Sequence, residues 1–118
     1  MSRPRRWMRW AEDTFGPIAC DQSERARRFL EEAVEASQAA GIDRATLDII
    51  VDRVYARTPG QLSRELGQVQ ACLECMALVA GVDLDAEATA ELVRVQAIPR
   101  SEWLARHRAK IDLGIAAE

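Results

Sequence analysis

An all-α fold is predicted by three features of the chain. Hydrophobic residues make up 48% of it but aromatics only 5%, and the apolar share is mostly Ala, Leu and Val, which suits helix–helix packing better than a sheet. Apolar residues recur at three- and four-residue intervals along four separate stretches. Those stretches end at helix-stopping signals: Gly41, Pro59-Gly60, Gly81 and Pro99. A length of 118 residues gives room for one ordinary domain and not for two. The expectation is a bundle of four main helices plus a short C-terminal helix over residues 15–118, preceded by a basic arm over residues 1–14.

The arm carries Arg3, Arg5, Arg6 and Arg9 with Trp7 and Trp10, and acidic Glu12 and Asp13 follow at once. It reads either as a frayed segment whose tryptophans dock on the body or on a partner subunit, or as a nucleic-acid contact. The first strong helix runs from about Gln22 to Ala40. Asp21 followed by Glu24 resembles a capping box, and Ala26, Phe29, Leu30, Ala33 and Val34 form its apolar stripe. Asp43 caps a second helix to about Arg57, with Leu47, Ile50, Val51 and Val54 facing inward. A third spans about Gln61 to Ala80, and its seam is Leu62, Leu66, Val69, Leu73, Met76 and Ala80. Leu84, Ala88, Leu92 and Val95 mark a fourth, closed near Ile98-Pro99. Ser101 and Glu102 restart a short helical tail holding Arg106, His107, Arg108 and Lys110.

A formal charge of −3 gives no general attraction to nucleic acid or to anionic membranes. No apolar stretch approaches the roughly 18 residues of a spanning helix, and no signal-peptide pattern opens the chain, so a soluble cytoplasmic protein is expected. Cys20, Cys72 and Cys75 are odd in number, and a zinc site wants four ligands where His107 is the single histidine. Buried free thiols are therefore expected, with a redox or zinc role as the alternative.

The residues most suited to chemistry are acidic. Advancing about 100° per residue puts Glu31, Glu32 and Glu35 on one helix face, nearly opposite the apolar stripe. Three carboxylates in five residues repel one another unless water or a cation screens them, and a divalent ion with oxygen ligands is a natural stabiliser. The competing reading is a solvated face crossed by ion pairs, Glu24 to Arg28, Arg27 to Glu31 and Arg28 to Glu32. The Arg-before-Glu order of the last two pairs serves the helix dipole poorly. Glu65 sits on the shoulder of an apolar seam, where a carboxylate loses hydration and must be paired, protonated or metal-bound. Positions 32 and 35, like 65 and 68, are neighbours on a helical face, so two antiparallel helices can offer four side chains to one ion.

The string from Glu24 to Glu35, containing Arg-Phe-Leu-Glu-Glu-Ala-Val-Glu, followed by Arg64-Glu65-Leu66-Gly67 and Gly81-Val82-Asp83, resembles the MazG-like nucleotide pyrophosphohydrolases of the all-α NTP pyrophosphatase superfamily. The likeness covers about residues 15 to 97. The family signature pairs Glu-Glu-x-x-Glu on one helix with Glu-x-x-Asp on a later one. Glu31, Glu32 and Glu35 match the first fully. In the second, Glu65 matches and Gln68 stands in place of the aspartate, offering a neutral amide oxygen and a weaker pull on a cation. A subgroup that includes phage-encoded members also lacks this aspartate.

The resemblance implies a magnesium-dependent hydrolase, with manganese as a substitute, that splits a nucleoside triphosphate into monophosphate and pyrophosphate. Glu32, Glu35 and Glu65 would hold the metal with Gln68 as a weak fourth contact, and Glu31 would orient water or a second ion. Arg106, Arg108 and Lys110 would neutralise phosphates. The resemblance further implies a homodimer or homotetramer whose cleft a neighbouring subunit lines, and a role in nucleotide housekeeping. A non-catalytic helical module that binds a nucleotide or a protein is the alternative, with Gln68 as the dividing feature. Phe15, Tyr55 and Trp103 are candidates to stack on a base.

Overall fold

A computed structural model describes residues 1–118 and contains six helices, no strand and no cis peptide bond. They are α1 (Arg3–Phe15), α2 (Gln22–Ala39), α3 (Arg44–Tyr55), α4 (Leu62–Ala80), α5 (Leu84–Ala97) and α6 (Arg100–Asp112), with a 3-10 turn at Gly16–Cys20 between the first two. None is long and apolar enough to cross a membrane. The ends follow from local chemistry. Asp21, Asp43 and Asp83 each accept a backbone N–H one turn in, from Glu24 (2.9 Å), Thr46 (2.8 Å) and Ala86 (3.0 Å). Gly81 ends α4 at φ +70°, a left-handed conformation that glycine adopts without a Cβ clash.

The N-terminal arm is not frayed. Residues Arg3–Phe15 form a 13-residue helix capped by the Ser2 side chain, with a proline in the first turn. Trp7, Ala11 and Thr14 recur at helical spacing on it, and Ala11 and Thr14 are buried. The six helices therefore exceed the expected four plus a tail, and α6, at 13 residues, is as long as α1.

The chain divides into two compact units, one formed by residues 1–35 with 88–118 and the other by residues 36–87. In the first unit, Ala11, Ala19, Leu92 and Val95 are buried. Trp10 meets Trp103 edge to face with centroids 5.2 Å apart, and Phe15 lies 5.8 Å from Trp10. Trp103 Nε1 donates to Val95 O at 3.2 Å, and Arg100 Nε donates to Thr14 O at 3.0 Å, tying α6 to α5 and α1.

α2 is turned the other way round from the sequence expectation. Its apolar stripe is open, with Phe29 47% and Leu30 61% exposed, while Glu24 is the fully buried side chain. Only half of the expected capping box forms: the Glu24 N–H bonds Asp21, but the Glu24 carboxylate goes to Arg28 Nε at 3.2 Å and accepts from Ala117 N at 3.4 Å. Arg28 Nη2 also donates to Ile115 O, and His107 Nε2 lies 2.9 Å from Ala117 O, so the C-terminal segment is held across this charged face.

The second unit buries little. Ala77 is its one buried residue. The α4 seam, expected to face a core, is exposed throughout, from 36% at Val69 to 54% at Leu62, and Ile50, Val51 and Val54 of α3 are open as well. An amphipathic stripe is buried only when another element packs on it, and this unit supplies none for the α4 seam. The same openness corrects the cysteine reading: Cys20, Cys72 and Cys75 are free but exposed.

Candidate functional site: the carboxylate face of α2

Glu31, Glu32 and Glu35 belong to the first unit; Glu65 and Gln68 lie on α4 in the second. On α2, Glu31 is paired twice, to Lys110 Nζ of α6 at 2.8 Å and to Arg28 Nη1 at 3.2 Å. Arg28 thus bridges Glu24 and Glu31, and Arg27 reaches Glu24 at 3.7 Å, where the sequence suggested Arg27–Glu31 and Arg28–Glu32 pairs.

Glu32 has a different environment. Loss of hydration pushes its carboxyl above the usual range, the Glu35 charge and a hydrogen bond to Glu35 push it further, and Glu31 adds to this, while Lys110 pulls the other way. Arg94 of α5 is near enough to feel the Glu32 charge, though its own hydrogen bond goes to Glu91 at 2.8 Å. The crowded Glu31, Glu32 and Glu35 carboxyls therefore disfavour full ionisation of Glu32, which a proton or a cation would relieve.

Glu65 is exposed in the single chain and is not the dehydrated shoulder residue the seam suggested. Its carboxylate folds back toward the loop: a Cβ built on Gly60 would lie 2.5 Å from Glu65 Oε1. No group of three or more His, Cys, Asp or Glu side chains in the chain is arranged to hold a metal ion. The donors on α2 and α4 are oxygen ligands, the type magnesium takes, but the α2 pair alone leaves most of a coordination shell unfilled.

The three basic residues assigned to phosphate are all engaged in ion pairs. Lys110 holds Glu31, Arg106 holds Glu102 at 2.6 Å while lying 4.8 Å over the Trp103 ring, and Arg108 holds Asp112 at 3.4 Å and Glu118 at 2.8 Å. Arg106 and Lys110 line a cavity of the first unit together with Glu32, and Phe15 and Trp103 line it too; Tyr55 is 84% exposed on α3.

Sequence reasoning named Arg28 as an ion-pair partner, and its Glu24–Arg28 pair forms, but it did not single out Arg25 or Arg94, which share that cavity with Arg28. The Arg28 pairing with Glu31, three residues on, is the one its spacing also allowed and that was not named. For Arg25 and Arg94 no local pattern gives the position, because their place depends on how α2 and α5 pack.

No protein-family model matches the chain, and no curated protein or solved structure is significantly similar to it.

Proposed function

We propose that the chain is a magnesium-dependent nucleoside triphosphate pyrophosphohydrolase of the MazG-like type, releasing a monophosphate and pyrophosphate in cytoplasmic nucleotide housekeeping. The observation that carries this reading is the crowding of Glu31, Glu32 and Glu35 on one face of α2, where the neighbouring carboxylates push the Glu32 carboxyl up. A surface helix gains no stability from pressing two carboxyls together beside a third, whereas a hydrolytic metal site requires it.

In this reading Glu32, Glu35 and Glu65 hold the ion, with Gln68 as the weak fourth contact. When bound, magnesium or manganese polarises phosphate oxygens and lowers the pKa of an attacking water. Glu31, pinned by Arg28 and Lys110, keeps a lone pair free to orient that water. Lys110 and Arg106 stand along the cavity wall, where they can exchange a carboxylate partner for phosphate as charge develops on the leaving group.

The same reading takes a homodimer or homotetramer as the working form. Leu62, Leu66, Val69, Leu73, Met76 and Ala80 alternate four and three apart, the spacing of a coiled-coil seam, and the five large ones lie open along a 19-residue helix. A second copy of the chain offers the matching stripe and a second set of motif carboxylates, which supplies the ligands one chain does not assemble.

The test is a pyrophosphate-release screen of purified protein across common and modified triphosphates, with magnesium, with manganese and with chelator. Metal-dependent release is expected, falling about 100-fold or more in Glu35→Gln and in Glu65→Gln. No release from any triphosphate sinks the enzyme reading. Gln68 and the lack of a ready-made three-ligand group favour the second reading, a non-catalytic module of the same shape that binds a nucleotide or a protein, and binding without release would select it.

A further inference from the structure

All three tryptophans of the chain, Trp7, Trp10 and Trp103, line one cavity of about 390 Å³ in the first unit. Helical cores are usually closed by aliphatic side chains and keep few voids larger than a water molecule. Here a space of small-molecule size has aromatic walls instead. Its other wall is cationic: five Arg and Lys side chains line it against three carboxylates. One of those cations points to an absent partner. Arg25 Nε is buried without a hydrogen bond, whereas the Arg28 guanidinium is already held by Glu24, Glu31 and the Ile115 carbonyl. Buried guanidinium N–H groups without acceptors are costly for a fold and useful for an anion.

We propose that this cavity is the subsite for the base and phosphates of a nucleotide: a planar base lies against the tryptophan rings, and the phosphates reach Arg25. The inference rests on the nucleotide reading of α2 and extends it, because Glu32 lines the same cavity. A nucleotide seated there brings its phosphates to the edge of the carboxylate face. A flat ring with several negative charges matches both walls; inorganic polyphosphate would match only one, and an uncharged aromatic only the other.

Since every tryptophan borders this space, intrinsic fluorescence reports on its occupancy. The experiment titrates the full chain with a non-hydrolysable nucleoside triphosphate analogue in chelator, reading fluorescence and calorimetric heat together, with inorganic triphosphate and the free nucleoside as separate arms. Saturable quenching by the analogue is expected, at the same Kd as the heat, with both partial ligands binding at least tenfold more weakly. Arg25→Gln should raise the Kd about tenfold or more, and Trp103→Ala about 5- to 150-fold, the value of one stacking platform. Circular dichroism establishes that each variant is folded, and Arg25→Gln carries the test if Trp103→Ala is not.

Calorimetric binding with unchanged fluorescence, an unchanged Kd in Arg25→Gln, or no binding by either readout overturns the proposal and leaves an unfilled core cavity only. Failure here is separable from failure of the hydrolase. Pyrophosphate release with the same KM in wild type and Arg25→Gln removes the subsite and keeps the enzyme, whereas quenching without release keeps the subsite and removes the enzyme.

Discussion

The two units of the chain solve opposite problems. The first buries charge and keeps an aromatic-lined space; the second exposes nearly every apolar side chain it has. In the first, Glu24, Arg28, Glu31 and Lys110 form a chain of ion pairs joining α2 to α6. In the second, the α4 seam and the Ile50, Val51 and Val54 face of α3 have no cover. The contrast teaches that charge pattern and apolar pattern do not meet the same fate in one chain: paired charge is packed while periodic apolar stripes stay open. The charged face is paired within one chain, and the apolar one lies open in it.

The largest expected effect belongs to the buried carboxylate. Glu24→Ala leaves Arg28 without its partner in a low-dielectric setting and should cost about 3–5 kcal/mol, visible as a lower denaturant midpoint by tryptophan fluorescence. A change under about 1 kcal/mol would mean that Arg28 is held adequately by Glu31 and the Ile115 carbonyl.

Next comes the seam. Leu73→Asp should abolish self-association, because each buried large aliphatic lost is worth about 2–5 kcal/mol. Sedimentation velocity of the wild type should give at least twice the 13.2 kDa chain mass, and a wild type that sediments as a monomer at tens of micromolar would remove the second copy from the account.

Smaller again is the cap of α2. Asp21→Ala withdraws the acceptor for the Glu24 N–H and should cost about 1 kcal/mol in thermal or chemical unfolding.

The smallest effect is a pH signature on Glu32. Its carboxyl holds a proton more tightly in the folded chain than in the unfolded one. That contribution to stability is complete below the ordinary value of 4.5 and is lost as pH rises through the raised folded value. Glu32→Gln therefore removes a repulsion present at neutral pH, and should raise Tm by about 1–3 °C at pH 7, as expected for relieving a like-charge pair on a helix, with the gain vanishing at pH 4. A gain that persists at pH 4 would show that the substitution acts through packing and not through charge. Added magnesium should shrink the pH 7 gain, since it screens the same repulsion in the wild type.

The helices of the middle of the chain were legible because their ends are written in single residues. Asp43 and Asp83 at N-termini, Gly81 at a C-terminus and Pro99 after α5 fix boundaries by local hydrogen bonding and backbone geometry, without help from packing. α1 was missed although Trp7, Ala11 and Thr14 have helical spacing, because a density of arginines argued for a frayed arm. Periodicity was the better guide there.

What the sequence did not reveal is which face of a helix meets the body. On α2 the apolar stripe and the Glu-Arg face were both readable, yet only the structure shows that the charged face is the one packed within the first unit. The candidate site was legible to the same degree. The crowding of Glu31, Glu32 and Glu35 is a matter of helical spacing, whereas the second pairing of Glu31 to Lys110, and the arginines beneath the tryptophans, depend on residues more than sixty positions away.

Gly60 offers an instrument of an unusual kind. Because Glu65 Oε1 occupies the space where a methyl group on residue 60 would sit, Gly60→Ala evicts the acid from its resting place without altering its charge, its helix or its neighbours in sequence. The far end of a glutamate swings cheaply, so the backbone need not respond. A single methyl thereby distinguishes a requirement for the whereabouts of that oxygen from a requirement for its existence, a distinction that Glu65→Gln alone does not make.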